Sequence, residues 1–226
     1  MIVITAATPW EARPLAKDLR LTFAGGQPRV YRGRCRGGGR DIALVETGVG
    51  PENTVAALSG LGGPVETVIS SGLAGALQPG ILSGDIVVDP HGAPLRYVQD
   101  ARRVAADAGL TLHLGVLVSA DRVIGSPAAK RTLGAEKRAV AVDMESSCSR
   151  AWAEDVGAEF IVVRGVLDAL GQRLPEGVPE SDSTADLARY ALARWRDLPL
   201  LLRLAWLKRR SMGRLGRFLT RFLEAA

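Results

Sequence analysis

The sequence predicts an α/β layered domain with a largely parallel sheet, and three observations carry that expectation. Short β-branched runs of strand length recur along the chain, and helical segments separate several of them. The composition, 47% hydrophobic and 23% charged over 226 residues, supplies a full buried core. The 26 glycines fall singly and in pairs without a period, which excludes collagen-like and disordered readings.

Ile2 to Ile4 form an apolar run that ends at Thr5-Ala6-Ala7-Thr8-Pro9, the pattern of a buried strand feeding a loop. Thr8 then suits a helix N-cap, with Pro9 in the first helical position and Glu11 three residues on, as a capping box requires. Two strands are predicted over Arg29–Arg36 and Asp41–Thr47, joined by a turn at Gly37-Gly38-Gly39. Gly48-Val49-Gly50-Pro51-Glu52 opens a helix towards Gly60, whose free N–H groups could hold an anion or simply end a turn. Further strands are predicted over Val65–Ser71, Asp85–Val88, Leu114–Ser119, Val140–Val142 and Phe160–Arg164. Helices are predicted over Ala101–Ala108, Pro127–Leu133, Glu145–Val156 and Thr184–Trp195.

Charge is unevenly placed. The formal net charge is +5, but seven bases and no acid fall between Leu198 and Leu223, which leaves 22 bases and 24 acids elsewhere. A mildly acidic body with a cationic C-terminal segment therefore describes the chain better than a uniformly basic nucleic-acid-binding domain. The expected division is a domain over 1–197 and a helical tail over 198–226. Cys35 and Cys148 are too few for a disulfide framework or a Cys-rich zinc site. His91 and His113 stand outside any ligand-like spacing and read as surface or loop residues, so no metal is expected. Met1 to Thr5 is too short and lacks the basic lead-in of a signal peptide, and the longest charge-free run, Thr67 to Gly84, contains Pro79 and several glycines. These features point to a cytoplasmic protein.

In parallel α/β sheets, sites form at the carboxyl ends of strands. Three acids follow apolar strands in that way: Glu11, Glu145 and Asp168. Position alone would suit surface acids equally well. Their sequence context goes further. Ala141-Val142-Asp143-Met144-Glu145-Ser146 and Val162-Val163-Arg164-Gly165-Val166-Leu167-Asp168 resemble paired motifs of the nucleoside phosphorylase and nucleosidase superfamily, most of all its methylthioadenosine/S-adenosylhomocysteine nucleosidase branch. Ser71-Gly72-Leu73-Ala74-Gly75-Ala76-Leu77 resembles that family's Gly-rich turn beside the ribose, Gly84 to Val88 its next strand, and Ser119-Ala120-Asp121-Arg122-Val123-Ile124 its purine-side segment. The matches run in order over roughly three quarters of the chain.

The resemblance implies a three-layer sandwich around a mixed, largely parallel sheet, and cleavage of a purine N-ribosyl bond. Such a reaction passes through an oxocarbenium-like transition state, needing an acid for the leaving base and a carboxylate on the sugar side. By resemblance Asp168 protonates purine N7, Glu11 orients or deprotonates the attacking water, and Glu145 accepts hydrogen bonds from the ribose hydroxyls. Met144 packs on the sugar; Asp143, Ala74 and Gly75 join the substrate-binding set, and Val123 and Ile124 contact the base. Leu167 and Leu73 stand where the nucleosidase pattern carries serines, which makes the pocket greasier. No cofactor is implied. Phosphate would be a co-substrate if the reaction were phosphorolytic, but the chain has Thr8-Pro9-Trp10-Glu11 in place of the phosphorylases' Gly-Asp-Pro-x-Arg loop and lacks their Arg-x-Gly-Thr turn. Hydrolysis is the expected reaction; phosphorolysis and a non-catalytic nucleoside-binding relative remain alternatives.

At about 100° per residue, Met212, Leu215, Phe218, Leu219, Phe222 and Leu223 share one sector and Arg210, Arg214, Arg217 and Arg221 the opposite one. That is a basic amphipathic helix. It suits packing on its own domain or a partner, or peripheral contact with an anionic membrane. No aromatic residue interleaves the arginines of the basic face, so nucleic acid is not an expected partner. Glu11-Ala12-Arg13, Ala141 to Ser147 and Leu198 to Ala205 further resemble the hopanoid-biosynthesis-associated members of the superfamily. Those are implied to release adenine from adenosylhopane, a lipid-linked nucleoside that lives in a membrane. The superfamily resemblance also implies a homodimer.

Overall fold

The computed structural model describes residues 1–35, 39–174 and 198–225. Among the described residues ten strands form one mixed sheet: β1 (Ile2–Ala6), β2 (Thr22–Gly25), β3 (Arg29–Arg34), β4 (Asp41–Glu46), β5 (Thr67–Ala76), β6 (Ile86–Asp89), β7 (Leu112–Leu114), β8 (Leu117–Ser119), β9 (Ala141–Asp143) and β10 (Glu159–Asp168). The described helices are α1 (Pro9–Asp18), α2 (Pro51–Ser59), α3 (Leu95–Ala108), α4 (Pro127–Lys137), α5 (Ser146–Asp155) and α6 (Leu198–Ala225). Strand order is β2-β3-β4-β1-β5-β10-β6-β7, with β9 joining the far end of β5 and β8 joining β9. The central neighbours β4, β1, β5 and β10 run parallel.

Alternation along the strands sorts side chains into two cores. Ile2, Ile4, Ile42, Leu44, Ile69, Ile161 and Val163 face one side, covered by Leu15 of α1, Tyr97 and Ala101 of α3, and the apolar sector of α6. Val3, Val45, Val68, Val87 and Val162 face the other, covered by Ala57 and Leu58 of α2 and Ala153 of α5. The result is three layers.

The C-terminal helix is part of this core. Met212, Leu215, Phe218, Leu219, Phe222 and Leu223 are all buried, and Ser211 Oγ donates to the Val166 carbonyl of β10 at 2.6 Å. Gly165 permits that crossing, since a Cβ there would sit 3.1 Å from the Ser211 carbonyl. The apolar face that could have entered a membrane is thus already occupied by the sheet.

Several elements differ from expectation. The edge strand β2 was not predicted; its residues are largely exposed, so they lack a buried alternation to reveal them. The Leu114–Ser119 run divides into β7 and β8 around Gly115, where a Cβ would collide with Val140. His113 lies in β7, not in a loop, with Nε2 2.9 Å from Asp85 Oδ2. The supposed Gly-rich turn at 71–77 is the straight continuation of β5, because β10 pairs with it as far as Gly75. The helix over 184–195 and the turn at 37–38 lie outside the described residues.

Candidate active site

The two longest strands position the site. Over Thr67–Ala74, β5 pairs in register with Glu159–Val166 of β10, and then the register slips so that Asp168 faces Gly75. Leu167 is the extra residue. Such a bulge breaks the strict alternation of faces, and here it lets consecutive residues, Leu167 and Asp168, both reach one cavity.

That cavity, about 1170 Å³, is lined by all nine residues singled out from sequence: Glu11, Ala74, Gly75, Val123, Ile124, Asp143, Met144, Glu145 and Asp168. It continues as a groove between α1, through Trp10, Arg13, Pro14 and Lys17, and α6, through Leu204, Ala205, Lys208 and Met212.

Glu11 is held by its own helix start. Thr8 N–H and Thr8 Oγ1 each donate to Glu11 Oε2 at 3.1 Å, which is the Glu half of the predicted capping box. Its other oxygen, Oε1, accepts Leu73 N–H at 2.8 Å. Gly72, at φ +141°, makes the approach possible: a Cβ there would lie 2.8 Å from Glu11 Oε1. A backbone donor on β5 therefore fixes Glu11 where Leu73 carries no hydroxyl.

Glu145 follows β9 after Met144. Burial pushes its carboxyl up to about 7; Arg164 opposes that rise, Asp143 and Glu11 add to it, and a hydrogen bond from Gly50 N–H again opposes it. Gly50 is the N-cap of α2. The glycine-framed helix start that could have held an anion thus meets the protein's own carboxylate.

Asp143 forms part of the wall, yet its oxygens are occupied. Oδ2 accepts Arg164 Nε at 2.8 Å in a buried ion pair, and Oδ1 accepts Ser119 Oγ and Ser146 Oγ at 2.8 Å each. Its side chain braces the Met144-Glu145 segment and has no oxygen left over for substrate. Arg164 also donates to Ser70 Oγ at 2.9 Å, while its buried Nη1 has no hydrogen-bond partner among the described residues.

Asp168 is almost fully buried, with its carboxyl beside Gly75 and Oδ2 in an ion pair with Lys130 of α4. Burial raises its pKa and Lys130 lowers it, with burial prevailing. Lys130 was not anticipated from sequence. The available signal was its spacing: Lys130, Leu133 and Gly134 share one face of α4, and Gly134 lies close against the Leu77 carbonyl.

Residues 1–89 and 90–194 match the family described as the phosphorylase superfamily. The chain belongs to that superfamily. Its fold is similar to that of 5′-methylthioadenosine/S-adenosyl homocysteine nucleosidase from Campylobacter jejuni, with a TM-score of 0.74 at 16% identity, covering 100% of this chain and 99% of that one. S-adenosylhomocysteine nucleosidase from Streptococcus pyogenes, in complex with 5-methylthiotubericidin, matches with a TM-score of 0.71 at 20% identity over 99% of this chain and 95% of that one. Futalosine hydrolase of Helicobacter pylori matches over 73% of this chain and 86% of its own, with a TM-score of 0.62 at 22% identity. Superfamily membership and the nucleosidase-like fold agree with the three-layer architecture described above.

Proposed function

We propose that this protein is a hydrolytic purine nucleosidase that releases adenine from a nucleoside with a large apolar 5′ substituent, adenosylhopane being the leading substrate. The observation that carries the reading is the convergence of Glu11, Glu145 and Asp168 on a single cavity that continues as a mainly apolar groove. In this reading the purine lies between Asp168 and the segment around Val123 and Ile124, and Glu145 accepts the ribose hydroxyls. Asp168 gives a proton to N7 as the C1′–N9 electron pair passes to the purine, and water held by Glu11 attacks C1′, losing its proton to that carboxylate. Membership of the phosphorylase superfamily and the fold shared with nucleosidases and futalosine hydrolase support the reaction class. The substrate class is supported by size: cavity and groove together exceed the roughly 300–1,000 Å³ typical of small-molecule pockets, and the groove presents Trp10, Pro14, Leu204 and Ala205 between the cations Arg13, Lys17 and Lys208.

On the same stretch of α6 as the groove-lining Leu204 and Ala205, Leu202 and Trp206 are 64% and 58% accessible, and Arg203, Arg209 and Arg210 are also exposed. Exposed apolar side chains among cations suit contact with an anionic membrane that holds the substrate. Among the described residues no helix is long and apolar enough to cross a membrane.

The test is adenine release from adenosylhopane and from methylthioadenosine, with and without phosphate. Adenine without phosphate, and a higher kcat/KM for the lipid-linked substrate, is the expected result. Ala205→Trp, which fills the groove, should lower kcat/KM for adenosylhopane and spare methylthioadenosine. Adenine appearing only with phosphate would make the protein a phosphorylase.

A further inference from the structure

Lys130 is the one charged side chain among the described residues that acts on Asp168, and its setting is unusual for a lysine. It is completely buried, and all three ammonium donors have partners: Asp168 Oδ2, the Ala169 carbonyl at 3.2 Å and the Gln172 carbonyl at 3.0 Å. A buried ion pair seldom repays its desolvation as fold stability, since apolar replacements of the pair are often neutral or stabilising. The pair also sits at the carboxyl assigned to proton transfer, where the preceding residue, Leu167, has no hydroxyl to orient it.

We propose that Lys130 is the positioning residue for Asp168: its ammonium fixes Oδ2, leaves Oδ1 for the purine, and stabilises the carboxylate that forms when the proton leaves for N7. This rests on the nucleosidase reading. The proton balance is simple. Asp168 starts as the neutral acid in the productive complex, N7 takes its proton as the C1′–N9 bond breaks, and the resulting carboxylate remains paired with the unchanged ammonium. A proton from solvent restores the acid after adenine departs. Lys130 reaches Asp168 because α4 packs tightly at the end of β5: a Cβ at Gly134, one turn along the same face, would lie 2.7 Å from the Leu77 carbonyl.

The proposal has a signature that a purely structural lysine would not give. Activity that needs Asp168 protonated falls on the alkaline side as that carboxyl ionises. An opposite charge at this range lowers a carboxyl pKa by roughly 1–3 units, so its removal moves the alkaline limb of kcat upward by about that much. The experiment measures kcat against pH for wild type, Lys130→Met, Lys130→Gln and Lys130→Arg, with circular dichroism to establish folding. Both neutral variants should show the upward shift, Lys130→Arg should not, and Lys130→Gln should change kcat by less than about twofold when Asp168 is already Asn.

An unmoved limb in folded neutral variants would overturn the proposal, as would failure of both neutral variants to fold, since the lysine would then serve the fold. Full activity of Asp168→Asn is a different result: it would defeat the nucleosidase roles themselves. An inactive Asp168→Asn with an unmoved limb in the lysine variants would defeat only the part given to Lys130.

Discussion

Replacing Asp168 by Asn is the obvious way to remove the proposed acid, and the structure predicts that it also damages the fold. The substitution leaves the Lys130 ammonium completely buried, with the Ala169 and Gln172 carbonyls as its remaining partners. Breaking a buried ion pair from one side costs about 3–5 kcal/mol. For a chain of this size each kcal/mol moves Tm by roughly 2–4 °C, so Asp168→Asn should melt about 6–20 °C below wild type. Lys130→Met in the same chain removes the stranded charge, and the double variant should regain most of that loss. Differential scanning calorimetry of the three proteins measures all of this. A single variant within about 1 kcal/mol of wild type, or a double variant no more stable than the single, would refute the reasoning.

Glu145→Gln should act oppositely on stability and activity. The Glu145 carboxyl rises from 4.5 to about 7, so the native state holds its proton more tightly and stability declines as pH climbs through that window. The shift corresponds to at most about 3 kcal/mol, which the glutamine variant should recover above pH 7 while losing ribose binding; kcat/KM of wild type should fall below pH 7 as Glu145 is protonated. Truncation before Leu200 removes seven buried apolar side chains of α6, about 10–21 kcal/mol at roughly 1.5–3 each, and should yield an unfolded chain by circular dichroism. Trp206→Asp with Leu202→Asp should leave melting near wild type and reduce co-sedimentation with anionic liposomes; equal sedimentation would remove the membrane part of the account.

Much of the fold was legible because its strands are continuous apolar runs and its helices carry ordinary start signals. Thr8, Pro9 and Glu11 announced α1, and the placement of Glu11, Glu145 and Asp168 after strands brought them to one cavity. What stayed hidden depends on tertiary contact. Glycine at 72 and 75 reads as a turn until β10 is seen alongside, and the bulge at Leu167 has no local marker. Lys130 looks like an ordinary solvated lysine unless its spacing with Leu133 and Gly134 is read as a buried face. The charge asymmetry was visible, but only the packing of α6 on β10 showed that its apolar sector belongs to the core and that a different, more N-terminal stretch of that helix rims the groove.

The most direct test of the central claim is quantification of free adenine after adenosylhopane is incubated, in phosphate-free buffer, with wild type and with the folded Asp168→Asn/Lys130→Met protein. Wild type should release adenine and the double variant should be slower by roughly 10²-fold or more, the scale of general acid catalysis. Equal rates from the two proteins, or release by wild type only after phosphate is added, would contradict it.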